Sequence, residues 1–192
     1  MNFLGHLVLS GDDPLTITGN FMADAVKGRD LSAYEPRLRA GITLHRTIDH
    51  YTDNHPLTLQ GRQRLRDHCG KYAGVALDLF YDHCIAITWR EHMPGTLDDF
   101  VQRMHALLTN HAHLMPERTR SMLPYMVQGD WLLSYRDLSG IGRALNGLAR
   151  RVPAGEALIG AEAILAEHLE AYIAESSSFL RALRTHLERG NG

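Results

Sequence analysis

The sequence predicts an all-α fold, a single compact helical domain over residues 1–192. Three observations predict it. Apolar side chains recur at three- and four-residue intervals, and no run alternates at period two as a half-buried strand would. Proline and glycine divide the chain into segments of helix length with short connections. The hydrophobic fraction of 44% and the charged fraction of 22% are those of a globular protein, and 192 residues suffice to bury one core.

The elements follow in order. A short apolar element spans 2–10 and stops at Gly11-Asp12-Asp13-Pro14. Pro14 opens a helix at 15–27. Pro36, in a first turn where its missing N–H is harmless, opens one at 36–53. Pro56 follows that helix and starts the next, 56–68. A helix at 72–92 ends at Met93-Pro94-Gly95, and others follow at 96–113, 117–135 and 138–150. Pro153 precedes a long final helix at 154–189, striped with Leu158, Ala161, Leu165, Leu169, Tyr172, Phe179 and Leu183. Gly190-Asn191-Gly192 closes it.

Composition narrows the function. Met1 to Ser10 lacks the basic leader of a secretory signal, and no apolar run reaches the roughly 18 residues of a membrane span. The two cysteines, Cys69 and Cys84, are far apart and suit a reducing compartment, so a cytoplasmic location is expected. Net charge is −2, which offers nucleic acid no general attraction. The charge is uneven, however: residues 27–71 carry nine Lys/Arg against five acids. Such a segment suits a specific acidic partner, or is simply a solvated face.

Histidine is over-represented, with 12 residues scattered along the chain. Those with chemistry lie on apolar stripes. In 36–53, His45 and Asp49 are one turn apart, about 40° around the axis, on the face that includes Leu38, Ile42 and Ile48. In 72–92, Asp82 and His83 fall among Leu79, Phe80 and Ala86. Asp24 follows Ile17 and Phe21 on another inward stripe, and His6 follows Phe3. An inward carboxylate without a partner costs several kcal/mol, so something must compensate it. One lone buried His or Asp is ordinarily a hydrogen-bonded core residue. Six of them, His6, Asp24, His45, Asp49, Asp82 and His83, favour a divalent cation. Mixed imidazole and carboxylate donors suit Mn²⁺, Fe²⁺, Zn²⁺ or Mg²⁺, and the lack of clustered thiolates argues against a structural zinc site.

Asn2-Phe3-Leu4-Gly5-His6, Gly19-Asn20-Phe21-Met22-Ala23-Asp24, His45-Arg46-Thr47-Ile48-Asp49 and Tyr81-Asp82-His83 resemble blocks of the acyl carrier protein phosphodiesterases. The resemblance continues through Trp131-Leu132, Tyr135-Arg136-Asp137 and Asn146-Gly147. It implies a divergent, all-helical branch of the HD-type metal-dependent phosphohydrolases. It also implies removal of 4′-phosphopantetheine from holo acyl carrier protein, Mn²⁺ as the usual metal, and the same six residues as its site.

On that expectation Arg46 steadies the non-bridging phosphate oxygens, unless it pairs with Asp49 or Asp53. Asp53 or His83 protonates the leaving serine oxygen. Lys27, Arg29, Arg37, Arg39, Arg62, Arg64, Arg66 and Lys71 become candidate contacts for an acidic carrier protein. Two other readings stay open: an HD-type hydrolase of a nucleotide or other small phosphoester, and a non-catalytic helical module that binds an acidic partner.

Overall fold

Proline at the first helical position, with a capping side chain just before it, sets the start of three successive helices. Asp13 accepts the Thr16 N–H at 2.8 Å and Pro14 begins α2, Pro14–Met22. Glu35 accepts the Arg37 and Leu38 N–H groups ahead of α3, Pro36–Asn54. His55 accepts the Leu57 N–H ahead of α4, Pro56–Cys69. Asp13 and His55 each answer one of the orphan N–H groups of a first turn and Glu35 answers two, and each proline removes another.

The computed structural model describes residues 1–190, so the end of the expected terminal stop, Asn191-Gly192, lies outside the described residues. A first helix, α1, spans Phe3–Val8. After α4 come α5 (Ala73–Ile87), α6 (Trp89–His92), α7 (Leu97–Asn110) and α8 (Glu117–Gln128). The chain continues with α9 (Trp131–Ser134), α10 (Leu138–Ala149), α11 (Glu162–Glu167) and α12 (Leu169–Gly190). No strand occurs among the described residues. The all-α expectation holds.

Four expected helices are broken, each at an identifiable place. The 15–27 helix gives way to a 3₁₀ turn at Ala23–Ala25. The 72–92 helix breaks at Thr88, whose hydroxyl and N–H both go to the Cys84 carbonyl. The 117–135 helix stops at Gly129 and turns through Asp130, which takes left-handed φ of 47°. The long final helix is interrupted at Gly160, with φ of 81°, and again at His168. Its stripe survives the breaks: Leu158, Ala161, Leu165, Tyr172, Phe179 and Leu183 are all buried.

α5 is the central helix. It packs against α1, α4, α10 and α12, and nearly every residue from Ala76 to Ala86 is buried. A helix apolar on all sides has to lie inside, since no face of it can meet water favourably.

The most extensive helix contact joins α2 to α3, and two glycines make it possible. A Cβ on Gly19 would stand 2.2 Å from the Leu38 carbonyl oxygen, and one on Gly41 would stand 2.1 Å from that of Thr16. The two backbones therefore touch. Asn20 adjoins one glycine and His45 lies one turn beyond the other, so this approach brings the two side chains together. Gly41→Ala should destabilise the fold by about 1–3 kcal/mol, the usual cost of overpacking, read as a lower thermal midpoint. Gly147→Ala, whose Cβ would meet nothing within 4 Å, should leave the midpoint unchanged or raise it.

Candidate metal centre

Two helices and a 3₁₀ turn deliver four of the six expected side chains to one place. His6 comes from α1, Asp24 from the turn after α2, and His45 and Asp49 from consecutive turns of α3. Donor atoms of His6, His45 and Asp49 lie within 4.8 Å of one another. His6 Nε2 is 3.2 Å from Asp49 Oδ1, and His45 Nε2 is 3.1 Å from Asp49 Oδ2. Asp24 Oδ1 joins at 3.3 Å from His45 Nε2. Adjacent donors around one ion with bonds of ~2.1 Å stand roughly 3 Å apart, so His6, His45 and Asp49 are a group that could hold a metal ion, with Asp24 beside it.

Asn20 holds the two imidazoles. Its Oδ1 accepts the Nδ1–H of His6 and of His45, both at 3.0 Å, and the rings stack at 4.0 Å between centroids. Its Nδ2 donates to Ser10 Oγ and to the His6 carbonyl. With Nδ1 bound to Asn20, each Nε2 is turned to the carboxylates, which is how a second partner orients a metal-binding histidine. Sequence reading quoted Asn20 only inside a motif and gave it no role. The signal that could have found it is its place beside Gly19 on the buried face of α2.

Electrostatics separate the stacked rings. Burial lowers the pKa of His6, with His45 adding to the effect against Asp49. Burial alone would lower His45 too, but Asp24 and Asp49 raise it to about 9. Asp49 is held well below the usual carboxylate range by His45 and His6, against the opposing effect of burial. Without metal, His45 therefore carries a proton at neutral pH that a cation must displace. Apparent Mn²⁺ affinity should rise roughly tenfold per pH unit from 7 and level off above about 9, as titration calorimetry across that range would show. The stability that this raised pKa gives the metal-free protein is fully present below 6.5 and is lost as pH climbs through about 9.

The structure places the other expected residues elsewhere. Asp82 is fully buried, and its two oxygens accept the N–H groups of Leu4 (2.8 Å), Gly5 (3.1 Å) and Asn2 (3.2 Å). It caps α1 rather than joining the cluster, and burial pushes its pKa up to about 7. His83 Nδ1 donates to the Tyr135 carbonyl at 2.7 Å, which fastens α5 to the end of α9. Arg46 directs its guanidinium to the carbonyls of Gly28 (2.8 Å) and Val26 (3.4 Å), bracing the loop that follows Asp24. It pairs with neither Asp49 nor Asp53. Asp53 is exposed and forms an ion pair with Arg62 at 2.6 Å. Sequence and structure part here because an inward polar group finds its partner in three dimensions, and periodicity reports only its direction.

The cluster forms one end of a cleft of about 740 Å³. Phe3, Met122, Trp131, Ala144 and Leu148 contribute apolar wall, and Asp53, Asp78, Arg118, Arg143 and Arg151 supply charge. Arg62, Arg66 and Lys71 line a second groove of about 510 Å³, which meets the cleft at Asp53, Val75 and Asp78.

His6, His45 and Asp49, a group that could hold a metal ion, line an open cleft in a helical scaffold, the arrangement of a candidate metal-dependent enzyme. The chain belongs to the acyl carrier protein phosphodiesterase family, which it matches over residues 1–183. It is 33% identical to the acyl carrier protein phosphodiesterase of Photorhabdus laumondii, covering 88% of this chain and 85% of that protein. It is also 33% identical to the one from Yersinia pestis (88% and 89% covered) and 35% identical to the one from Salmonella agona (82% of each). No solved structure matches it.

Proposed function

We propose that this protein hydrolyses the phosphodiester linking 4′-phosphopantetheine to the serine of holo acyl carrier protein, leaving the apo form. The observation that carries the reading is the cluster of His6, Asp24, His45 and Asp49 at the end of an open cleft, in a chain that matches the family almost throughout. These four residues would hold the metal, with Mn²⁺ the ion that the family resemblance implies and Mg²⁺ or Fe²⁺ as alternatives that the mixed donor set also suits. Such an ion neutralises phosphoryl charge and lowers the pKa of a bound water.

The chain's own groups do the rest. Asn20 fixes both imidazoles so that each Nε2 is turned to the carboxylates of the cluster. Trp131, Met122, Ala144 and Leu148 offer the pantetheine arm a largely apolar wall, as ligand clefts usually do. Of the two residues considered for protonating the leaving serine oxygen, only Asp53 lines the cleft, where it is ion-paired with Arg62. His83, held on the Tyr135 carbonyl, does not line the cleft, and neither do Asp82 and Arg46. No described helix is long and apolar enough to cross a membrane.

Incubation with Mn²⁺ and holo acyl carrier protein tests the reading. The expected result is a mass loss on the carrier equal to phosphopantetheine, suppressed by chelator. An intact carrier, with turnover of a nucleotide or other small phosphoester under the same conditions, would instead favour the small-substrate hydrolase.

A further inference from the structure

We propose that the cleft wall formed by α8 and α10 is the docking surface for an acidic protein partner, carried by Arg118, Arg143 and Arg151. The inference rests on the reading above, that the substrate is a carrier protein, and it locates where that partner sits.

Charge along the cleft is divided by origin. Every carboxylate that lines it, Asp24, Asp49, Asp53 and Asp78, comes from the first half of the chain, and every arginine comes from the second half. The acids are answered at home: Asp24 and Asp49 by the histidines, Asp53 by Arg62. The arginines are not. Among the described residues, Arg118 and Arg151 make no side-chain hydrogen bond or ion pair, and Arg143 touches only Ser139 Oγ at 3.3 Å. All three are exposed.

The basic segment at 27–71 is a weaker candidate than its sequence suggests. Arg37 is spent on Asp13 and Glu35, Arg62 on Asp53, and the half-buried Arg64 on Glu175. A cation already paired within its own chain adds little attraction for a partner.

The shape of the wall agrees with its charge. On α8, Arg118, Met122 and Tyr125 share one face at positions i, i+4 and i+7, and Tyr125 is 69% exposed. Exposed tyrosine and arginine beside an apolar strip is the composition of a protein-binding surface. A carrier whose body lies over the exposed faces of α8 and α10 would bring its acids to these unpaired guanidinium groups.

The test compares two triple charge reversals, Arg118→Glu/Arg143→Glu/Arg151→Glu and Arg29→Glu/Arg39→Glu/Arg66→Glu. Each is titrated with apo acyl carrier protein by fluorescence anisotropy at low and high salt. The cleft-wall variant should raise Kd at least about tenfold at low salt, with the difference shrinking as salt screens it. KM for the holo carrier should rise in step while kcat changes little. The second variant should shift Kd less than about threefold. Equal affinity of wild type and the cleft-wall variant, or a larger loss in the second variant, overturns the proposal. If the triple variant fails to fold, single Arg→Gln variants at 118, 143 and 151 take its place under the same criteria. Because binding is read without turnover, a wild type that binds apo carrier through these arginines but leaves holo carrier intact refutes the hydrolase and retains the docking surface.

Discussion

Asp49→Asn should abolish useful turnover of holo acyl carrier protein, with a loss of at least about a hundredfold, and Mn²⁺ affinity should fall with it. Asp49 is the one carboxylate in contact with both imidazoles, through a different oxygen to each. Asparagine keeps the shape and removes the charge. Changes in the partners that merely orient metal ligands already cost about 10–100-fold, so losing a ligand's charge should cost no less. Removing this anion also strips His45 of one of the two carboxylates that raise its pKa, so the proton that competes with metal should bind less tightly. Titration calorimetry with Mn²⁺ and the mass shift of the carrier read the two effects separately. A variant with undiminished metal affinity and turnover would remove Asp49 from the centre.

Asn20→Ala should weaken Mn²⁺ binding by about 10–100-fold although Asn20 donates nothing to the ion. Without its Oδ1, neither imidazole keeps a fixed tautomer, and each is free to rotate. The Ser10 hydroxyl and the His6 carbonyl keep their bond to each other at 2.8 Å, but the change leaves the Nδ1–H groups of His6 and His45 without their acceptor, at about 1–3 kcal/mol for each unsatisfied group. Thermal unfolding in chelator measures that second loss by itself. If Asn20 were only a structural bond, stability would drop while the folded fraction kept wild-type affinity for Mn²⁺.

What the sequence made legible follows from how local each cause is. Helix starts at Pro14, Pro36 and Pro56 are written in adjacent residues, and so is the one-turn spacing of His45 and Asp49. The inward direction of Asp82 was equally legible, but its partners were not. They are first-turn N–H groups of α1, nearly 80 residues away in the chain. Asn20 was harder still. Its role depends on backbone contact between α2 and α3, and a glycine in a sequence does not say which helix it lets in. The breaks at Asp130 and Gly160 depend on positive φ values that apolar periodicity does not register. Arg62 and Arg64 read as free charge because Asp53 and Glu175 stand 9 and 111 residues away, and of the two acids of Arg37 only Glu35 is local.

The capping of α1 by Asp82 bears on how the centre comes into being. A helix of six residues has too few internal bonds to persist in water by itself. His6 therefore has no settled address until α1 has seated on the completed interior and Asp82 has gripped its leading amides. A cation that needs His6 would then be held only by molecules whose central helix is already in place. Half-folded chains, lacking that sixth residue in position, would hold the ion poorly and leave the carrier pool untouched.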